Sequence, residues 1–117
     1  MAKYTMTGKI FCNIVNKKIN AGVVKETDNF IVIKDINPVS PVHLLLISKE
    51  HYDSILDINN KFNGNEVFAL INDLANDFKV EERGFRIVIN TKENGGQTVN
   101  HMHIHFMAGR GFGWPPG

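Results

Sequence analysis

Apolar residues recur at Val67, Leu70, Ile71, Leu74, Ala75 and Phe78, the i, i+3, i+4, i+7 spacing that lays one stripe along a helix. One long helix is predicted here, with Asn65 as its cap ahead of Glu66 and Gly84 shortly after its end. Elsewhere the pattern is that of strands. Residues 30–33 (Phe-Ile-Val-Ile) are short and largely β-branched, 42–47 are apolar apart from His43, and 85–89 follow Gly84. The 42–47 run is expected to be buried on both faces. The intervening segment 35–41 holds Pro38 and Pro41 and reads as a loop. Shorter helical turns are expected at 54–57 and 10–16. Few helices and several short strands indicate an α+β fold with an antiparallel sheet.

Between 99 and 107, Met102, Ile104 and Phe106 alternate with His101, His103 and His105. Period two means a strand, with the apolar set turned to the core and the three imidazoles sharing the other face. Three chemistries compete for such a face. Hydrogen-bonded structural histidines are the plainest. Metal binding is disfavoured by length: His101 and His105 lie about 13 Å apart along a regular strand, too far to converge on one ion. Phosphoryl or nucleotidyl transfer suits the spacing better. One neutral imidazole attacks phosphorus and a neighbour donates to a non-bridging oxygen. Histidine's pKa of about 6.5 keeps both protonation states within reach. Directly upstream, Asn94-Gly95-Gly96-Gln97-Thr98 offers backbone and side-chain donors for the same anionic centre, although Asn-Gly-Gly is also an ordinary turn.

Composition narrows the classes further. A chain of 117 residues with 43% hydrophobic and 21% charged residues is an ordinary globular domain. With 13 basic and 12 acidic residues the net charge is +1, which gives no bulk attraction to nucleic acid or membrane. A single cysteine, Cys12, excludes an internal disulfide and fits a reducing compartment. The start of the chain lacks an apolar signal core, so a cytoplasmic location is expected.

His101-Met-His103-Ile-His105-Phe-Met107 resembles the histidine triad, and the tail Gly113-Trp114-Pro115-Pro116-Gly117 resembles the Hint branch of that family. Gly95-Gly96-Gln97-Thr98, Asp35-Ile36-Asn37-Pro38, Pro41-Val42-His43, Ile10-Phe11 and His51 also align, so the resemblance runs from about Gly8 to Gly117. It implies one HIT domain over 1–117, with 1–7 an N-terminal extension and 108–117 a tail contributing to the site. The implied fold has a five-stranded antiparallel sheet with one long and one short helix per subunit, continuous as ten strands across a homodimer. The implied activity is hydrolysis of purine nucleoside phosphoramidates built on AMP or GMP, without cofactor or metal. The alternatives are a dinucleoside polyphosphate hydrolase, as in the Fhit branch, and a non-catalytic nucleotide-binding or protein-interaction module.

By the same resemblance His103 is the nucleophile, His105 donates to the α-phosphate, and His101 orients His103 through its carbonyl. His43 is a supporting fourth histidine, and Thr98 stands near the leaving group. Asp35 would hold the ribose hydroxyls; Ile10, Phe11, Ile14, Ile33 and Ile36 would line the base pocket. Asn90, Gly96, Gln97 and Val99 would lie around the phosphate, and Trp114 would help close the site. His51 is read as structural. Some relatives carry a Cys-x-x-Cys pair that helps bind structural zinc. Lys9 stands in its first position here, so no such site is expected.

Overall fold

The computed structural model describes residues 6–7, 9–17 and 21–117. In chain order the elements are β1 (Met6–Thr7), α1 (Lys9–Val15), β2 (Val23–Glu26), β3 (Phe30–Lys34), β4 (Val42–Ser48), a 3-10 turn (Ile55–Asp57), α2 (Gly64–Asp77), β5 (Phe85–Val88), α3 (Lys92–Gly95), β6 (Val99–Asn100) and β7 (His103–Ala108). Five strands form an antiparallel sheet in the order β2-β3-β4-β7-β5, and β1 pairs with β6 in parallel. The expected α+β fold with one long and one short helix is present; α3 adds a single further turn.

Both faces of the sheet are covered, which is why β3 and β4 are apolar almost throughout. Phe30, Val32, Leu44, Leu46, Ile104 and Phe106 pack with Val67, Leu70, Ile71 and Leu74 of α2. On the opposite face Ile31, Ile33, Leu45 and Ile47 pack with Phe11 and Ile14 of α1 and with Val99. The alternation of β7 therefore separates two environments rather than core from solvent. Its even-numbered residues meet the long helix; its odd-numbered residues share the face of the short one.

Two expectations are corrected. The cap of α2 is Asn63, whose side chain accepts from the Glu66 N–H, so the helix begins earlier than Asn65. The Glu66 carboxylate instead reaches across to Asn29 and Thr27 in the β2–β3 turn. The strand expected over 99–107 is two strands, parted by a bend at His101 and Met102. Of the stretch set apart as an N-terminal extension, 1–5 lie outside the described residues. Met6–Thr7 pairs with Val99 and Asn100, just ahead of the histidines.

Candidate active site

β4 and β7 run with Ile47 opposite His103, Leu45 opposite His105 and His43 opposite Met107. Directly paired residues share a face, so His43, His103 and His105 stand together on the α1 side. His103 packs edge-on against Phe11, 5.0 Å between centroids, and lies 5.1 Å from the His105 ring. His101 precedes the strand. Its ring, fully buried, turns to Ser48, Cys12 and His51, and its carbonyl accepts from His103. The three imidazoles thus do not form one row: the bend sends the first elsewhere.

Hydrogen bonds to backbone groups fix which ring nitrogens carry protons. His103 Nδ1–H donates to the His101 carbonyl at 2.7 Å, which leaves Nε2 with its lone pair. The Val39 N–H donates to His43 Nδ1 at 3.1 Å, so His43 carries its proton on Nε2. That nitrogen lies 2.9 Å from His105 Nδ1. Donation there makes His105 Nδ1 the acceptor and leaves its Nε2–H as a donor. The arrangement therefore presents a nucleophilic nitrogen on His103 beside a proton donor on His105.

Burial holds both rings neutral. It pushes the His103 pKa below its ordinary value, against the opposing pull of the His101 carbonyl and Asp35. His105 is pushed down to about 4, by burial first and then by His103 and His43, with Asp35 again opposing. A lowered pKa means that the unfolded chain binds more protons than the folded one below about pH 6.5. Stability is therefore expected to decline as pH falls from there toward the folded values. Turnover that needs neutral His103 should stay level from pH 8 through about 6.5 and fall only further down. A pH profile of kcat/KM checks this: an acid limb at or above the free-histidine value would contradict the burial account.

An apolar slot lies beside these rings, lined by Ile10, Ile14, Ile33 and Leu45, with Ile36 and Asp35 at its edge. Of the expected base-pocket residues, Phe11 is absent from this slot and packs on the imidazoles instead. Val99 is buried beneath α1. The Asp35 carboxylate lies 3.3 Å from His43 Nε2. The loop before the triad differs most from expectation. The Gly96 and Gln97 N–H groups donate to the Glu93 and Lys92 carbonyls as α3 closes. The Gln97 side chain accepts from the Lys92 N–H and donates to the Asp53 and Val99 carbonyls. Gly96 and Gln97 have thus spent their donors within the protein and brace the loop, so they offer none to a phosphate. Thr98 is exposed.

Asn90 and Trp114 line a separate cavity with Arg86, Met107 and Phe112. Trp114 is 85% exposed. The tail is tied down nearby: Arg86 donates to the Gly113 carbonyl, and the Phe112 ring lies 4.2 Å from the Arg110 guanidinium and 5.2 Å from that of Arg86. Arg110 donates to the Val39 carbonyl. Gly109, at φ +95°, sits so close to Pro41 that a Cβ there would approach the proline ring to 2.8 Å.

Sequence reasoning missed one cluster. The loop after β4 brings His51 Nδ1 within 3.3 Å of Cys12 Sγ and 3.1 Å of His101 Nδ1. The outer nitrogens are held by Asp53 and the Ser48 carbonyl. A thiol and two imidazoles at such separations are a donor set that zinc-type ions accept. The expectation of no zinc counted cysteines alone; the signal available was His51 as a second nitrogen donor. Asp35, His43 and His105 also bring donor atoms together, and the hydrogen bonds already described account for their closeness.

Residues 16–112 match the HIT domain. The chain belongs to the HIT family. Solved structures of that family superpose on it closely. A HIT family hydrolase from Legionella pneumophila is 38% identical with a TM-score of 0.87, covering 92% of this chain and 98% of that one. A histidine triad protein from Clostridium difficile is 38% identical with a TM-score of 0.84, covering 89% and 92%. An uncharacterized HIT-like protein of Buchnera aphidicola is 37% identical over 103 residues, 86% of this chain and 90% of the relative. This HIT protein therefore has the fold of a family that includes hydrolases. Among its described residues no helix is long and apolar enough to cross a membrane.

Proposed function

We propose that this HIT protein hydrolyses purine nucleoside phosphoramidates, with His103 as the nucleophile. The observation that carries the reading is the proton arrangement: a lone pair on His103 Nε2 beside a donor on His105 Nε2, each fixed by the opposite ring nitrogen. The purine fits the apolar slot, where stacking and burial serve adenine and guanine alike. Asp35 at the slot's edge accepts from the ribose hydroxyls, and the α-phosphate reaches the imidazoles. His103 Nε2 then forms a bond to phosphorus as the P–N bond to the amine breaks, the amine nitrogen taking a proton from solvent at the exposed Thr98 side as it departs. Water attacks the nucleotidyl-histidine, the P–N bond to His103 breaks, and the nucleoside monophosphate is released. His105 Nε2–H donates to the non-bridging oxygens on which charge builds. Thr98 faces the leaving group, and Asn90 and Trp114 bound the space it occupies.

The resemblance to the Hint branch supports the phosphoramidate, a homodimer and a cytoplasmic setting. The pairing is proposed at β5, an outer strand of the five with Phe85 exposed. A fluorogenic tryptamine adenosine phosphoramidate tests the substrate class, with diadenosine triphosphate in parallel. Faster kcat/KM on the phosphoramidate is the expected result. Preference for the dinucleotide would move the protein to the other substrate class, and binding of AMP without turnover of either would make it a binding module.

A further inference from the structure

The face that carries His103 and His105 continues past them to the outer strand. In the sheet, β7 lies between β4 and β5. The apolar slot is on the β4 side, where Ile33 and Leu45 line it. On the other side Val88 stands opposite His105 and Arg86 opposite Met107, so all four share one face. Arg86, Val88 and Met107 line a cavity of about 820 Å³ together with Arg110, Phe112 and Trp114 of the tail. No acidic side chain is among the described residues that line it, whereas two guanidinium groups are. Both face the Phe112 ring, at 4.2 Å for Arg110 and 5.2 Å for Arg86. Neither arginine belongs to an ion pair among the described residues. Fastening the tail and the 35–41 loop uses one N–H group of Arg86 and two of Arg110, out of the five that each guanidinium carries. Two cations held beside one ring repel each other, and their remaining donors suit an anion.

We propose that Arg86 and Arg110 form a carboxylate subsite for the departing amine, selecting phosphoramidates whose amine also bears an acid group, such as an amino acid linked through its nitrogen. The proposal rests on the phosphoramidate reading. A nucleotide with its purine in the slot and its phosphorus at the imidazoles extends its amine over Val88 and Met107, toward the guanidinium groups. The planar guanidinium fork matches a carboxylate with paired N–H groups. The apolar walls made by Val88, Met107, Phe112 and Trp114 suit the body of the amine, whereas a polyphosphate would set several charges against them. The carboxylate keeps its bonds and its charge throughout; it is a handle, and the bond that breaks is still P–N. Because the handle is held alike before and during bond breaking, it acts on binding more than on the maximal rate. Arg86 and Arg110 are therefore specificity-determining residues.

Adenosine phosphoramidates of phenylalanine and of phenylalaninamide share the reacting bond and are nearly equal in size, but only the first bears a carboxylate. With the full chain, and after subtraction of the uncatalysed rate, kcat/KM is expected to favour the acid about tenfold, mainly through KM. In Arg86→Gln the preference is expected to fall to about threefold or less, and in Arg86→Lys, which keeps the charge, to stay above that. Salt at about 0.5 M is expected to at least halve the native preference, a readout that does not depend on a variant folding. Equal kcat/KM for acid and amide overturns the subsite and leaves the hydrolase reading intact. So does a preference unchanged in folded Arg86→Gln, or unchanged by salt. Faster turnover of diadenosine triphosphate than of the acid overturns it in favour of a polyphosphate. Should the native protein turn over neither phosphoramidate, the hydrolase reading falls, and equilibrium affinities for the same pair decide the subsite. Binding of the acid about tenfold more tightly then upholds it, and equal binding overturns it.

Discussion

Alanine at position 103 is expected to reduce phosphoramidate turnover on the order of 10⁴-fold or more, while AMP binding changes little. The size follows from what is lost. On the proposed chemistry His103 supplies the atom that bonds to phosphorus, and its Nδ1–H anchor to the His101 carbonyl leaves the attacking nitrogen unprotonated and aimed. Without it, water must attack directly, aided only by the donor on His105. The apolar slot and Asp35 are untouched, so affinity for the monophosphate survives. Amine release by the variant gives the rate, and intact-mass measurement after acid quench shows whether a nucleotidyl adduct forms. A variant retaining a tenth of native turnover, or an adduct mapped to another residue, refutes the assignment.

The second large effect concerns stability. Phe106 is wholly buried on the opposite face of the same strand and stacks on Phe85, 4.8 Å between centroids and 19° from parallel. It stands opposite Leu44 in β4 and Ile87 in β5, at the seam between the long helix and the sheet. Phe106→Ala is expected to cost about 3–5 kcal/mol, from lost transfer energy and an unfilled cavity. For a domain of this size that lowers the melting temperature by roughly 10–25 °C. Thermal unfolding followed by circular dichroism measures it. A shift of only a few degrees would mean that neighbouring side chains collapse into the space, contrary to the dense packing described.

What the sequence disclosed was whatever repeats over a few residues. The alternation through His103, Ile104, His105 and Phe106 settled their opposite faces, and the apolar run of β4 announced burial on both sides. The α2 stripe was equally plain, but its start was not. Asn63 and Asn65 flank Gly64, and either suits a cap by composition; only the chain's path shows which amide meets the Glu66 N–H. β2 escaped notice because Val23–Glu26 is an outer strand with two charged residues in four, so its pairing with β3 leaves no apolar alternation to read. The candidate site divides in the same way. His43 and Asp35 were found through the resemblance, whereas their contact with each other depends on β3 and β4 being neighbours. Gln97 reads as an anion donor because a side-chain amide before the histidine strand looks like one until its hydrogen bonds to Lys92, Asp53 and Val99 are traced. His51 went unrecognised because fifty residues separate it from His101, and the loop that unites them has no periodic signature.

The proline–glycine contact at the root of the tail has a mechanical meaning. Pro41 lies at the end of the loop that begins with Asp35, and Gly109 opens the tail; Arg110 fastens to Val39 in the same loop. On the proposed reading, the two ends of a bound substrate are gripped by parts of the chain that are riveted together. A bulky amine that pushes the tail aside is then expected to tug the loop carrying Asp35 as well, tying the grip on the sugar to what is attached at the far end of the phosphate.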